Sequence, residues 1–97
     1  MSIGPERWRK GPVEVWALRW DPSSKEGVVA MLRFCGACGL LPGDRLRVKT
    51  PEGQRDAEPG DYIVRDLRGE FYPVKPDVFE ATYEMVGPRR AAAEITD

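Results

Sequence analysis

The chain has 97 residues, 41% of them hydrophobic and 32% charged, with a formal net charge of −1 and a sequence pI of about 5.5. This length is too short for two independent cores, and the composition is that of a globular chain rather than a disordered or membrane-spanning one. The nearly balanced charge gives no overall attraction to nucleic acid or to an anionic membrane, so neither is expected as a partner. We expect one globular domain over residues 1–87 and a mobile C-terminal tail over residues 88–97.

The first predicted strand covers residues 13–20, which are rich in β-branched and aromatic side chains. Alternation gives both of its faces an apolar row, Val13, Val15 and Ala17 on one and Trp16, Leu18 and Trp20 on the other. We therefore predict a central strand that is covered on both sides.

A helix is predicted over about residues 23–36. Ser23 and Glu26 have the spacing of a capping box, and Pro22 interrupts the strand before them. Apolar side chains then recur at i, i+3, i+4 and i+7, at Val28, Met31, Leu32 and Cys35. Gly36 is suited to end the helix in the left-handed conformation.

Cys35 and Cys38 form a C-x-x-C pair at the end of this helix, where the helix dipole would not lower a thiol pKa as it does in thioredoxin-type sites. A zinc site needs four ligands, and without histidine or a third cysteine only a dimer that shares both pairs could supply them. We predict reduced thiols, with Cys35 in the core, and keep a disulfide and an intersubunit metal as alternatives. No cofactor is expected.

The second half favours short antiparallel strands, over residues 46–50, 62–67 and 70–74, while residues 54–58 are either a weak edge strand or a loop. Two Pro-Gly-Asp copies, at 42–44 and 59–61, predict type II turns whose glycines have positive φ. The predicted fold is α+β: a small bent antiparallel sheet or partial β-barrel, with the helix at about 23–36 packed on it and a short helix near 76–80.

Residues 69–84 contain four aromatic rings and two prolines, and they allow a structural and a functional interpretation. In the first, Pro73 ends a strand, Pro76 begins the short helix, and Val78, Phe79 and Tyr83 turn inward against Trp16 or Trp20. In the second, polar-ended side chains surround an exposed groove for a peptide, base or small ligand; these are Tyr62, Glu70, Tyr72, Lys75, Asp77 and Tyr83.

Residues 8–20, 46–53, 59–64 and 69–84 resemble a family of short bacteriophage and prophage proteins. The resemblance is most specific in Pro-Gly-Asp-Tyr at 59–62 and in Gly-Glu-Phe-Tyr-Pro at 69–73 with the following Lys-Pro-Asp. The family named after the letters PGDYG has a similar motif, from which Ile63 departs. Val74 also departs, because relatives often carry cysteine there. The resemblance implies a phage or prophage origin and a place in the cytoplasm of an infected or lysogenic bacterium, but no activity.

The chain has no histidine and no glycine-rich phosphate loop, so we do not expect an enzyme. The leading hypothesis is an accessory protein that binds a host protein and thereby inhibits a host process or defence system. One alternative is a small-ligand or nucleotide-binding domain that uses Tyr62, Tyr72, Lys75 and Asp77. Another is a minor component of the virion, and self-association into a homo-oligomer is left open.

Overall fold

The computed structural model describes residues 3–88, which form eight strands, two α-helices and one 3-10 turn. The strands are β1 Glu6–Lys10, β2 Val13–Arg19, β3 Cys38–Leu40, β4 Leu46–Thr50, β5 Gly53–Ala57, β6 Tyr62–Arg65, β7 Phe71–Val74 and β8 Glu84–Pro88. The helices are α1 Lys25–Phe34 and α2 Pro76–Thr82, and the 3-10 turn is Pro42–Asp44. One antiparallel sheet has the order β7-β6-β2-β1-β8 and the other the order β3-β4-β5. The α+β class is confirmed, with two open sheets in the described chain in place of a single one.

The predicted central strand is confirmed, because β2 lies in the middle of the five-stranded sheet and separates two buried clusters. The α1 core, which α1 and the smaller sheet cover, contains Leu18, Trp20, Met31, Cys35, Leu46, Val48, Ala57 and Ile63. The α2 core, on the opposite face, contains Trp8, Val15, Ala17, Tyr62, Val64 and Phe79. The two apolar rows of β2 therefore serve different cores.

Helix α1 begins one residue later than the predicted capping box. Ser24 is the N-cap, and its Oγ accepts a hydrogen bond of 3.0 Å from the Gly27 backbone N–H. Ser23, the predicted cap, instead donates its backbone N–H and its hydroxyl to Asp21 Oδ1, at 3.1 and 2.6 Å. Two adjacent serines offer the same chemistry, and the aspartate two residues earlier captures the first of them.

The end of α1 also differs from the prediction. Met31 and Cys35 are buried as expected, but Leu32 is 41% exposed because it lies about 100° further around the helix than Met31. The cap residue Cys35 is extended, with φ −107° and ψ 95°, and Gly36 does not have positive φ. The predicted left-handed glycine is therefore wrong, since the chain leaves the helix directly toward β3.

Cys35 and Cys38 are joined in a disulfide, so the prediction of reduced thiols is wrong and the disulfide alternative holds. The burial of Cys35 in the core is confirmed. Because both sulfurs are used within one chain, the pair offers no thiolates to a metal shared between subunits.

The predicted strands of the second half are present, and residues 53–57 form the edge strand β5, which decides between edge strand and loop. Both turn glycines have positive φ, 77° at Gly43 and 96° at Gly60. The second turn is closed by a 3.0 Å hydrogen bond from the Asp61 backbone N–H to the Glu58 carbonyl. In the first turn Asp44 also has positive φ, 63°.

The short helix near residue 76 is confirmed, with Pro76 at its first position and an extended Lys75 before it. Pro73 does not end the strand, because β7 continues to Val74. An edge strand tolerates proline at a position whose N–H is not needed by the ladder. Phe79 turns inward as predicted, but it contacts Trp8 and Tyr62 rather than Trp16 or Trp20.

Val78 was also expected inside, yet it is 53% exposed. In a helix, neighbouring residues point about 100° apart, so burial of Phe79 leaves Val78 on the flank. Neither described helix has the length or apolar character that crossing a bilayer would require.

Three strands have no counterpart in the sequence-based prediction: β1, β3 and β8. β1 and β8 pair with each other, and β1 also pairs with β2. Pro88, the first residue of the predicted tail, ends β8, and the rest of that tail lies outside the described residues.

Candidate functional site

Two of the predicted site residues, Tyr62 and Tyr83, lie against Phe79. The Tyr62 ring stacks on Phe79 at 4.1 Å between centroids and the Tyr83 ring at 4.7 Å. Tyr62 is buried, and its hydroxyl donates to Glu80 Oε2 at 3.2 Å. Burial, followed by this bond to the Glu80 carboxylate, raises the pKa of Tyr62. Tyr62 therefore belongs to the α2 core.

Glu70 and Tyr72 lie together at the β6–β7 hairpin. The Tyr72 hydroxyl donates to Glu70 Oε1 at 3.3 Å. Asp66 fixes the hairpin turn, because its Oδ1 accepts the backbone N–H groups of Arg68 at 2.9 Å and Glu70 at 3.0 Å. Burial and then the nearby Asp66 and Glu70 carboxylates raise the pKa of Tyr72.

Lys75 and Asp77 lie at the start of α2. Lys75 Nζ is 3.1 Å from Asp61 Oδ2, and that carboxylate also accepts the Glu58 backbone N–H at 2.9 Å. Asp77 is exposed in the first turn of the helix, where a negative charge interacts favourably with the helix dipole. The structure thus distributes the six predicted residues over three places, and their role in binding stays a prediction.

The concave feature near this segment lies on the other face of the five-stranded sheet. We call it the hairpin cleft: an open depression of about 380 Å³ lined by Trp16, Arg65, Asp66, Leu67, Gly69 and Phe71. None of these side chains is among the predicted binding residues, although Gly69 and Phe71 belong to the same segment.

Strand pairing explains why these side chains meet. Trp16 on β2 is directly opposite Arg65 on β6, and Arg65 is directly opposite Phe71 on β7. Arg7 on β1 is in turn opposite Trp16. Directly opposed residues share one face of a sheet, so these four form a row in which arginine and aromatic side chains alternate.

The last residue of α1 forms a wall beside this row. The Phe34 ring meets Phe71 edge to face, with 5.5 Å between centroids. The Arg65 guanidinium lies over the Phe34 ring, 6.0 Å from its centroid. This distance is at the outer limit of a weak cation–π contact.

Leu67 is the most exposed large apolar side chain of the described residues, at 80%. It lies at the hairpin tip, between Arg65 and Arg68, and the Asp66 hydrogen bonds hold the turn in one conformation. Across residues 3–88, neither of these two arginines is in an ion pair. The cleft therefore combines aromatic walls, an exposed apolar side chain, the Arg65 cation and the Asp66 carboxylate.

Aromatic, aliphatic and guanidinium groups are typical of surfaces that bind other molecules. The sequence contained one signal of the cleft: Leu67 is an apolar residue among the turn residues Asp66, Arg68 and Gly69. The predicted strand ran to residue 67 and so placed this leucine in a strand, whereas β6 ends at Arg65.

Comparison with known proteins adds no relative. The chain matches no protein-family model, no curated protein and no solved structure at a significant level. The phage resemblance is therefore still a prediction.

Proposed function

We propose that this chain is a non-enzymatic accessory protein that binds a host protein through the hairpin cleft. The observation that carries the proposal is Leu67, exposed to 80% at a rigid turn beside the rings of Trp16 and Phe71. A leucine held in water by a fixed turn contributes little to folding, whereas apolar and aromatic side chains around a cleft are the usual anchors of a protein interface.

The shape of the cleft also favours a protein partner. An open depression of about 380 Å³ can receive one or two side chains, whereas small-molecule sites enclose most of their ligand. Because the Asp66 hydrogen bonds already order the turn, docking would cost little additional conformational entropy.

The resemblance to phage and prophage proteins supports a bacterial protein as the partner, in the cytoplasm of an infected or lysogenic cell. A small protein without catalytic groups acts on such a partner by occupying its surface. Inhibition of a host process or defence system is the outcome we expect of that binding.

Affinity capture from a bacterial lysate tests the proposal with two matched variants, Leu67→Asp in the cleft and Val78→Asp on α2. Both place a carboxylate at an exposed apolar position of the same protein. We expect one enriched host protein with the unchanged chain and with Val78→Asp, and a loss of at least about tenfold with Leu67→Asp. The variant loses the apolar contact of leucine and must desolvate a carboxylate against the partner, which together cost more than about 1.4 kcal/mol.

Equal enrichment by the two variants would show that the partner binds elsewhere. If no protein is enriched at any salt concentration, host binding is wrong. The two alternatives then have their own measurements, which are thermal stabilisation by nucleotides and detection of the chain in purified phage particles.

A further inference from the structure

We infer that the hairpin cleft recognises an acidic segment of its partner, in which a carboxylate lies next to an aromatic or large aliphatic side chain. This inference rests on the proposed function and adds the chemistry of the bound segment. It follows from the two arginines of the cross-strand row, which have different surroundings.

Arg7 has its own carboxylate in the fold. Its Nη1 donates to Glu14 Oε1 at 3.3 Å, and Glu14 is two residues before Trp16 on the same face of β2. Arg65 occupies the corresponding position on the other side of Trp16, but no carboxylate of residues 3–88 forms an ion pair with it. A carboxylate of the partner would pair with Arg65 in the same way as Glu14 pairs with Arg7.

The Arg65 guanidinium is also placed for such a contact. Its central carbon lies over the Phe34 ring, 6.0 Å from the ring centroid, and a guanidinium with such a contact can still form two parallel hydrogen bonds to a carboxylate. Trp16 and Phe71 are its direct neighbours across the sheet, so an aromatic or aliphatic group beside that carboxylate would meet an apolar surface.

One carboxylate, that of Asp66, also lines the cleft. Asp66 directs Oδ1 to two backbone N–H groups of the turn, which offset part of its charge. Arg68 lies on the other side of Leu67, outside the cleft lining, and has no ion-pair partner in the described chain. Arg65 therefore favours one partner carboxylate, whereas the many phosphates of a nucleic acid would meet a chain of net charge −1.

The test uses the full 97-residue chain labelled with nitrogen-15 and two small probes, N-acetyl-tryptophan and N-acetyl-tryptophanamide. The probes share the indole ring and differ in the carboxylate. We expect both to shift the Trp16 indole and Leu67 amide resonances. The acid should bind about tenfold more tightly than the amide, because a charge-assisted hydrogen bond contributes at least 1.4 kcal/mol.

Three arginine variants locate the effect. Arg65→Gln should abolish the preference for the acid, and Arg65→Lys should retain only part of it, because lysine lacks the planar pair of donors. Arg55→Gln, on the edge strand β5 and not among the lining residues of the cleft, should leave the preference unchanged. The dispersion of the amide resonances confirms that each variant is folded.

Equal affinities for acid and amide at the cleft would overturn the acidic segment and leave the proposed protein-binding site standing. Tighter binding of a ten-residue oligothymidine at the same resonances would also overturn it, in favour of nucleic acid. If neither indole probe shifts cleft resonances and Leu67→Asp leaves host capture unchanged, the inference and the proposed function both fail.

Discussion

Residues 69–84 divide into two halves that use the same kinds of side chain for different purposes. The hairpin half, residues 69–74, contributes Phe71 to the wall of an open cleft. The helix half, residues 75–84, places Phe79 in full burial, with Tyr83 stacked on it. Each half has two aromatic rings, so aromatic density does not distinguish a binding surface from a core.

What separates the two halves is which face of the sheet another element covers. Helix α2 folds back over one face and contributes Phe79 to the α2 core. On the other face, α1 ends at Phe34, beside Phe71, and Leu67 at the hairpin tip is 80% exposed. A side chain becomes available to a partner where the covering element stops.

The largest expected effect is on the helix half. Phe79→Ala should lower the free energy of unfolding by about 3–5 kcal/mol, because it removes a buried ring that contacts Trp8, Tyr62 and Tyr83. Phe71→Ala is the matched change in the hairpin half and should cost clearly less, since Phe71 is only half-buried. Urea unfolding measures both, and equal losses would erase the distinction between the halves.

Reduction of the disulfide should perturb the structure of the hairpin half more than that of the helix half. Reduction of Cys35–Cys38 should lower the free energy of unfolding by about 2 kcal/mol, the loop-entropy value for so short a loop. Because Cys35 follows Phe34, reduction should also shift cleft resonances more than those of Tyr62 or Phe79. Cys38→Ala is the control, and its stability should not respond to a reductant.

Tyr62→Phe should cost about 1 kcal/mol at neutral pH, since it removes the hydroxyl bond to Glu80. The raised pKa of Tyr62 means that the folded protein keeps a proton that the unfolded chain loses above the ordinary value of 10.0. Stability from this group is therefore complete below pH 10 and decreases as the pH rises beyond it.

The pKa of Tyr72, in the hairpin half, is also raised, so Tyr72→Phe is the matched variant for Tyr62→Phe. Unfolding measured from pH 8 to 11 should show a shallower alkaline loss of stability in Tyr62→Phe than in the unchanged chain. A steeper loss would mean that the Tyr62 phenolate is favoured by folding, contrary to its burial.

The smallest expected effect on stability is that of Leu67→Asp. Since this side chain is 80% exposed at the hairpin tip, its replacement should change the free energy of unfolding by less than about 0.5 kcal/mol. The same variant should lose partner capture. A large destabilisation would show that Leu67 supports the fold and would remove the observation on which the binding site rests.

Local sequence signals predicted the elements that have strong propensity and clear boundaries. The alternation around Trp16, the apolar spacing of Met31 and Cys35, and Pro76 at a helix start each correspond to an observed element. Strand β1 could not be predicted, because Arg7 and Arg9 on either side of one tryptophan resemble a charged surface segment. Its strand structure depends on pairing with β2 and β8.

The hairpin cleft could not be predicted in the same way. Trp16 and Arg65 are distant in sequence, and they become neighbours only through the register of β2 against β6. A shift of one residue would move every side chain of β6 to the opposite face. That register is set by the packing of both cores, which no local motif encodes.

The edges of the two sheets have a consequence for the behaviour of the protein at high concentration. Both edge strands of the larger sheet contain a proline, Pro73 in β7 and Pro88 in β8. In the smaller sheet, β3 has only three residues, and β5 carries Arg55 and Asp56. Missing amide donors, short length and charge are all obstacles to adding a strand from another molecule. Growth of cross-β fibrils from the folded protein should therefore be slow, even in concentrated solution.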